Sequence, residues 1–127
     1  MTFALSQKSK DKLATVHADL QKVIEEAIID SPLDFSITQG IRTKEEQQKL
    51  FDEGKSQTLN SRHLTGKAVD IAVFVDGKVT WDFNNYKIVA EHIKSVANKL
   101  GIPIVWGGDW TTFKDGPHFE LNKSKYP

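Results

Sequence analysis

The sequence contains no cysteine, which excludes disulfide bonds and thiolate metal ligands. It also has no excess of either charge, because 17 lysine and arginine residues balance 17 aspartate and glutamate residues. A balanced chain lacks the electrostatic footprint of a nucleic-acid-binding protein and offers no polybasic patch for anionic lipids. We therefore expect neither nucleic acid nor a lipid surface among its partners.

Long apolar runs are missing as well. No stretch approaches the ~20 apolar residues that span a bilayer, and residues 1–8 lack the basic start and apolar run of a signal peptide. We expect a chain made in the cytoplasm without membrane insertion. Its 127 residues, 39% hydrophobic and 27% charged, suit one domain over residues 1–127 that buries its own core.

Apolar residues at helical spacing predict three helices. The first spans about residues 9–30 and ends before Pro32, because the residue preceding a proline leaves helical geometry. A capping-box pattern over Thr43–Glu46 predicts a short helix that ends at Gly54. The third is predicted from a cap at Asn84 or Asn85 to Leu100.

Alternating or continuous apolar segments predict the strands, which cover residues 33–38, 68–75, 78–81, 102–106 and 117–121. Asp76-Gly77 predicts a tight hairpin turn and therefore antiparallel pairing. The polar tail over residues 122–127 is expected to fray. The fold class is α+β: a small, mostly antiparallel sheet with helices packed on one face and the functional site in a groove on the other.

Two polar motifs, Ser61–Asp70 and Asp115–Glu120, concentrate imidazole and carboxylate groups. A catalytic zinc takes three such protein ligands and keeps a fourth position for water. We predict that His63, Asp70 and His118 hold one Zn²⁺ per chain and that Asp115 is the base beside the water. Clustering of ordinary polar loop residues is the alternative, and two motifs that complete each other argue against it.

Other polar residues leave two interpretations open. Arg42 and Arg62 are the only arginines, and each adjoins a motif, where the planar guanidinium suits carboxylate recognition. Either could instead be a solvated surface residue. Glu120 points the same way as His118 in an extended strand, so it either orients that ligand or lies on the surface.

The remaining aromatic and imidazole side chains are assigned as follows. Trp106 and Trp110 either wall a cleft or fill the core. His17 and His92 flank apolar helical stripes and are expected to be packing residues rather than metal ligands.

The pattern Ser61-x-His63-x-x-Gly66-x-Ala68-x-Asp70, followed by Asp115-x-x-His118, resembles the signature of the peptidoglycan-cutting zinc peptidases. That family contains D,D-carboxypeptidases, D-Ala-D-Ala dipeptidases and the L-alanyl-D-glutamate endopeptidases of phage endolysins. Residues 39–42 and 106–110 are similar to it as well. The resemblance implies zinc at the three ligands, an acid/base role for Asp115 and substrate contacts from Ser61 and Arg42. We add a catalytic role for Arg42 and a substrate contact from Trp106.

Asp115 stands where the carboxypeptidase and dipeptidase members usually carry glutamate, which favours the endopeptidase branch. We therefore predict a monomeric zinc endopeptidase that cuts the L-alanyl-D-glutamate bond of peptidoglycan stem peptides. A phage endolysin fits the expected lack of a signal peptide, since it can be stored in the host cytoplasm and act on the cell wall after release. The alternatives are a D,D-carboxypeptidase or D-Ala-D-Ala dipeptidase, and a zinc-stabilised cell-wall-binding module without catalysis.

Overall fold

The computed structural model describes residues 2–56, 58–112 and 114–127. Within them the helices are α1 (Gln7–Leu13), α2 (Ala18–Ile29), α3 (Lys44–Asp52) and α4 (Phe83–Leu100). The strands are β1 (Asp34–Gln39), β2 (Ala68–Val75), β3 (Lys78–Thr80), β4 (Ile104–Trp106) and β5 (His118–Leu121). Short 3₁₀ helices cover Arg62–Thr65 and Gly107–Asp109. None of the described helices is long and apolar enough to cross a membrane.

The sheet is built around β2, and every pairing in the described part of the chain is antiparallel. The strand order is β1-β2-β5-β4, and β3 pairs with the far half of β2 through the predicted hairpin turn. Asp76 and Gly77 both have positive φ, at 51° and 77°, as a two-residue turn of this kind requires. The register places Asp70 of β2 directly opposite His118 of β5.

The two faces of the sheet have different roles. Side chains alternate across a strand, so Phe119 and Leu121 of β5 enter the core while His118 and Glu120 point to the opposite face. On β2 the core-facing residues are Val69, Ile71 and Val73. Helices α2 and α4 supply most of the other half of this core, which confirms the α+β class with helices on one face.

The single helix predicted over residues 9–30 is wrong, because the chain breaks into α1 and α2. The buried apolar residues of α1 and α2 continue one helical spacing, so periodicity alone does not reveal the break between the two helices. Tertiary contacts stabilise it: the backbone N–H of His17 donates to Gly66 at 2.8 Å, and Thr15 Oγ1 accepts from Ile41 N at 2.9 Å. His17 is an exposed N-cap residue whose Nδ1 accepts from the backbone of Asp19.

The cap predicted for α4 at Asn84 or Asn85 is also wrong, by two or three residues. Asp82 is the N-cap, and its Oδ1 accepts from the backbone N–H of Asn84 at 2.9 Å. The helix ends at Leu100, as predicted, and Gly101 follows it with φ at 73°. Leu100 itself is exposed. The capping box of α3, between Thr43 and Glu46, is confirmed.

The tail over residues 122–127 does not fray. The hydroxyl of Tyr126 donates to Asp19 of α2 at 2.6 Å, and its backbone N–H donates to Asn122 at 2.9 Å. The Tyr126 ring meets His17 edge to face, with 5.2 Å between the centroids. The polar composition of the tail does not reveal this anchor, because a single tyrosine, Tyr126, forms most of the contacts.

Candidate metal centre

Three side chains converge on the sheet face opposite the core. Oδ1 of Asp70 lies 3.2 Å from Nε2 of His63 and 3.2 Å from Nδ1 of His118. The three candidate ligand atoms all lie within 4.8 Å of one another. A tetrahedral ion with bonds of ~2.0–2.1 Å separates its ligand atoms by roughly 3.3 Å, so this donor set fits one metal ion.

His63 is positioned by the 3₁₀ helix that precedes β2. The hydroxyl of Ser61 caps this helix by accepting from the backbone N–H of His63 at 3.2 Å. Nδ1 of the imidazole lies 2.9 Å from the carbonyl oxygen of Gly40, which only accepts, so Nδ1 carries the proton. Nε2 is thereby left free to bind a metal.

Glu120 fixes the other imidazole in the complementary orientation. Its Oε1 lies 2.8 Å from Nε2 of His118, so that nitrogen donates and Nδ1 faces the cluster. Glu120 is only 7% exposed, which decides between the two interpretations left open by the sequence. It orients a candidate ligand and is not a surface residue.

Electrostatics favour a cation at this point. Burial alone would raise the pKa of Asp70, but its contacts with the His118 and His63 imidazoles outweigh it and hold that pKa well below its usual range. Burial likewise disfavours a charged His118, yet its bonds to Asp70 and Glu120 raise its pKa from 6.5 to about 9. The carboxylates of Asp70 and Glu120 therefore both face this imidazole, and they stabilise a proton or a metal ion there.

Asp115 lies beside the cluster in the loop that leads into β5. The backbone of Asp115 packs on Gly107, where a Cβ would lie 2.4 Å from the Asp115 carbonyl oxygen. Glycine at 107 is therefore required for this close approach. Burial raises the pKa of Asp115, and the negative charge of Asp70 raises it further. Such a carboxyl is poised to exchange protons.

A groove of about 410 Å³ opens over His118 and Asp115. Two loop segments line it, one before the first motif and one after β4. The lining residues are Lys55, Ser56, Thr58, Ser61, Trp110, Thr111, Thr112, Asp115 and His118. Ser61, predicted as a substrate contact, thus lies in the groove wall.

Arg42 approaches the cluster from the start of α3. Its Nη2 lies 3.5 Å from Oδ2 of Asp70, and its Nη1 donates to Oε1 of Gln47 at 2.8 Å. Gln47 also donates to Ser56 Oγ at 2.9 Å and to the Thr58 carbonyl at 2.6 Å. This buried glutamine joins the arginine to the groove wall, and sequence reasoning missed it because nothing in the pattern of α3 separates it from its exposed neighbours.

The structure separates the two tryptophans, whose roles the sequence left open between a cleft wall and the core. Trp106 is 2% exposed, and its Nε1 donates to the Gly116 carbonyl at 2.7 Å inside the core. Its prediction as a substrate contact is therefore wrong, because its ring is covered on the core side of the sheet. Trp110 lines the groove instead, with its ring centroid 5.2 Å from that of His118.

His92 lies away from the cluster and links α4 to α2. Its Nε2 lies 2.9 Å from the Ala27 carbonyl oxygen and 3.2 Å from a carboxylate oxygen of Asp30. Arg62 is not among the residues that line the groove, and its Nη2 donates to the Leu121 carbonyl at 3.1 Å. His92 is a packing residue, as predicted.

The small antiparallel sheet, the histidine–aspartate cluster and the adjacent carboxyl define the class as a metallopeptidase. The fold is shared with the vancomycin-resistance D,D-dipeptidase VanXYg, at a TM-score of 0.50 and 16% identity over 81% of this chain and 47% of that chain. The phage L-alanyl-D-glutamate peptidase family model matches residues 1–122, and the chain belongs to that family.

Individual relatives agree with this assignment. The L-alanyl-D-glutamate peptidase of Escherichia phage T5 is 35% identical over 99% of this chain and 94% of its own length. The peptidoglycan L-alanyl-D-glutamate endopeptidase CwlK of Bacillus subtilis is 31% identical over 84% of this chain and 75% of its own. The crystal structure of the L-Ala D-Glu endopeptidase ChiX of Serratia marcescens matches at a TM-score of 0.91 and 41% identity, covering 98% of this chain and 94% of that one.

Proposed function

We propose that this protein is a zinc-dependent endopeptidase that hydrolyses the bond between L-alanine and D-glutamate in peptidoglycan stem peptides. The observation that carries the proposal is the position of Asp115 beside a three-ligand cluster at the floor of a groove. The named activities of the relatives in phage T5, Bacillus subtilis and Serratia marcescens support the same bond.

Zinc is the metal that this donor set favours, since two imidazoles and one carboxylate with one free position form a catalytic zinc site. His63, Asp70 and His118 would hold one ion per chain. When bound, zinc would lower the pKa of a coordinated water toward ~7 and polarise the scissile carbonyl.

Asp115 moves the protons in this account. Its carboxylate accepts a proton from the attacking water and then gives it to the amino group of D-glutamate as the peptide bond breaks. The raised pKa of Asp115 suits both steps, because the group must hold the proton between them. A purely structural metal site would have no use for a carboxyl in this position.

Arg42 supplies fixed positive charge at the edge of the cluster. Its guanidinium is held by Asp70 on one side and Gln47 on the other, so its donors are oriented before substrate arrives. We assign it to the α-carboxylate of D-glutamate or to the oxyanion that develops at the scissile carbonyl. Both are anionic groups within one residue of the cut bond.

The groove suits an endopeptidase, which must accept chain on both sides of the scissile bond. One wall includes Lys55, Ser56, Thr58 and Ser61, and the other is formed by Trp110 to Thr112, with His118 and Asp115 between them. We assign substrate contacts to Ser61 and Trp110. An exopeptidase would instead need a closed pocket with a cation for the terminal carboxylate of D-alanine.

We assign the protein the role of a phage endolysin, acting as a monomer and as one peptidase domain over residues 1–127. The relatives from Escherichia phage T5 and Listeria phage A118 support this role. The A118 peptidase is 36% identical over 86% of this chain, and the match covers 39% of the A118 peptidase. In this role the protein acts on the bacterial cell wall from the cytoplasmic side after release.

A synthetic stem peptide tests the activity directly. We expect the zinc-loaded protein to cut a peptide that contains L-Ala–D-Glu and to leave the matched L-Ala–L-Glu peptide intact. Liquid chromatography with mass detection measures both reactions. No cleavage of either peptide, or of purified peptidoglycan, by zinc-loaded protein would contradict the proposal and favour a binding module.

A further inference from the structure

Arg62 sits on the side of the metal centre away from the groove and contacts three separate groups. Its Nε lies 3.7 Å from Oε2 of Glu120, close enough for an ion pair. Its Nη2 donates to the carbonyl oxygens of Leu121 at 3.1 Å and Tyr126 at 2.6 Å. The side chain is only 12% exposed, and its buried Nε has no hydrogen-bond partner among the described residues, so the ion pair with Glu120 is the contact that faces it.

Glu120 connects this arginine to a candidate metal ligand. One carboxylate oxygen accepts from Nε2 of His118, and the other faces Arg62. A buried carboxylate that lost its cation would be costly and would adopt another rotamer. Arg62 therefore holds Glu120 in the rotamer that aims Nδ1 of His118 at the cluster.

The carbonyl groups that hold Arg62 are themselves fixed. Leu121 belongs to β5, and Tyr126 is tied to α2 through its hydroxyl bond to Asp19. The guanidinium thus bridges the end of the sheet and the folded tail, with its plane set by the two carbonyls. Lysine could not reproduce these contacts, because an ammonium is a point charge without the planar fork.

We propose that Arg62 is a positioning residue of the metal centre, acting through Glu120 to hold His118 in its metal-binding orientation, with the tail carbonyl of Tyr126 as its anchor. The inference rests on the metal centre of the proposed function. The Arg62 side chain is not among the residues that line the groove, and its ion pair with Glu120 connects it to His118.

Zinc affinity is the appropriate measurement, by competition with a chromophoric chelator. We expect Arg62→Met to weaken zinc binding by about 10- to 100-fold, the usual effect of losing a partner that orients a ligand. Arg62→Lys should fall between this variant and the wild type. Lys67→Met is the matched control, because Lys67 donates a hydrogen bond to the tail at Pro127 without contacting Glu120. The Lys67→Met variant should bind zinc within about twofold of the wild type.

Two further measurements separate positioning from general stability. The effects of Arg62→Met and Glu120→Gln should not add in the double variant, because both break one connection. In Co²⁺-loaded protein, Arg62→Lys should change the visible absorption that reports ligand geometry, while Lys67→Met should not. If Arg62→Met fails to fold, the zinc affinity and Co²⁺ spectrum of Arg62→Lys decide.

Two results would overturn the inference. The first is a wild-type zinc affinity in Arg62→Lys and in a folded Arg62→Met. The second is an equal loss of zinc affinity in Arg62→Met and Lys67→Met. These measurements are independent of peptide cleavage. A wild-type protein that binds zinc and cuts no stem peptide would contradict the proposed function and leave this test unaffected.

Discussion

The guanidinium of Arg42 lies 3.5 Å from Oδ2 of Asp70, the carboxylate oxygen that the two imidazoles leave free. The other oxygen, Oδ1, faces His63 and His118 at 3.2 Å each. The Asp70 carboxylate therefore contacts both the imidazoles of the metal cluster and Arg42, the cation that we assign to substrate binding. Because Gln47 holds the opposite side of the guanidinium, the orientation of Arg42 is fixed from both directions.

Gln47 should therefore affect catalysis without touching the metal. We expect Gln47→Leu to lower kcat/KM by about 10- to 100-fold, the effect of losing a hydrogen bond to a charged group. Zinc content should not change. Gln48→Leu is the matched control, because Gln48 is exposed and its side-chain amide donates to Asp52 within α3. Equal activity in the two variants would show that Gln47 does not orient Arg42.

Metal removal should abolish hydrolysis, and zinc should restore it. His63→Ala and His118→Ala should each lose most of their bound zinc and fall in thermal stability, because metal binding is coupled to folding. His92→Ala removes an imidazole from the α2–α4 contact and should keep a full equivalent of zinc. Elemental analysis beside an activity assay makes the comparison. Full activity in metal-free protein would refute the metal-centred mechanism.

Asp115→Asn separates proton transfer from metal binding. The variant should keep its zinc, while hydrolysis falls by about a hundredfold to ten-thousandfold, the range for losing a general acid–base group. Asp109→Asn is the control, since Asp109 lies in the same connection and forms an ion pair with Lys94. Loss of zinc in step with activity would make Asp115 a ligand instead of a base.

Zinc binding should depend on pH in a defined direction. In metal-free protein His118 has a pKa of about 9, so at pH 7 its Nδ1 carries a proton that zinc must displace. Affinity should therefore fall as pH drops from about 9, and binding at pH 7 should release about one proton from this residue. Calorimetry in buffers of different ionisation enthalpy measures the release. Binding without proton release would contradict the assignment of His118.

The same protonation should affect the stability of the metal-free fold. The folded pKa of His118 lies above its ordinary value of 6.5, so the stabilisation is complete below pH 6.5 and is lost as pH rises through about 9. Asp70 behaves oppositely: its lowered pKa stabilises the fold above its ordinary value of 3.8, and acidification removes that contribution. Thermal unfolding of chelated protein across this range follows both effects. An unfolding midpoint that does not change between pH 6.5 and 9 would contradict the shift assigned to His118.

Some parts of this structure could be predicted from sequence because the signal is local. The hairpin turn at Asp76-Gly77 and the capping box of α3 each depend on a few adjacent residues. The clustering of His63 with His118 could be predicted because each motif presents a recognisable part of one ligand set. These features need no knowledge of how distant segments pack.

The missed features all depend on distant contacts. The break between α1 and α2 is stabilised by the loops at Ile41 and Gly66, which periodicity within residues 9–30 cannot report. Trp106 and Trp110 lie four residues apart, and only the sheet faces decide which one is buried. Gln47 likewise acquires its role from partners on another loop.

The most direct test of the central claim is mass spectrometry of purified peptidoglycan digested by the zinc-loaded protein. Cleavage before D-glutamate predicts products with a new amino terminus on D-glutamate, and L-alanine left on the glycan strand. No free D-alanine should appear. Free D-alanine or D-alanyl-D-alanine as the main product would contradict the account and identify an exopeptidase instead.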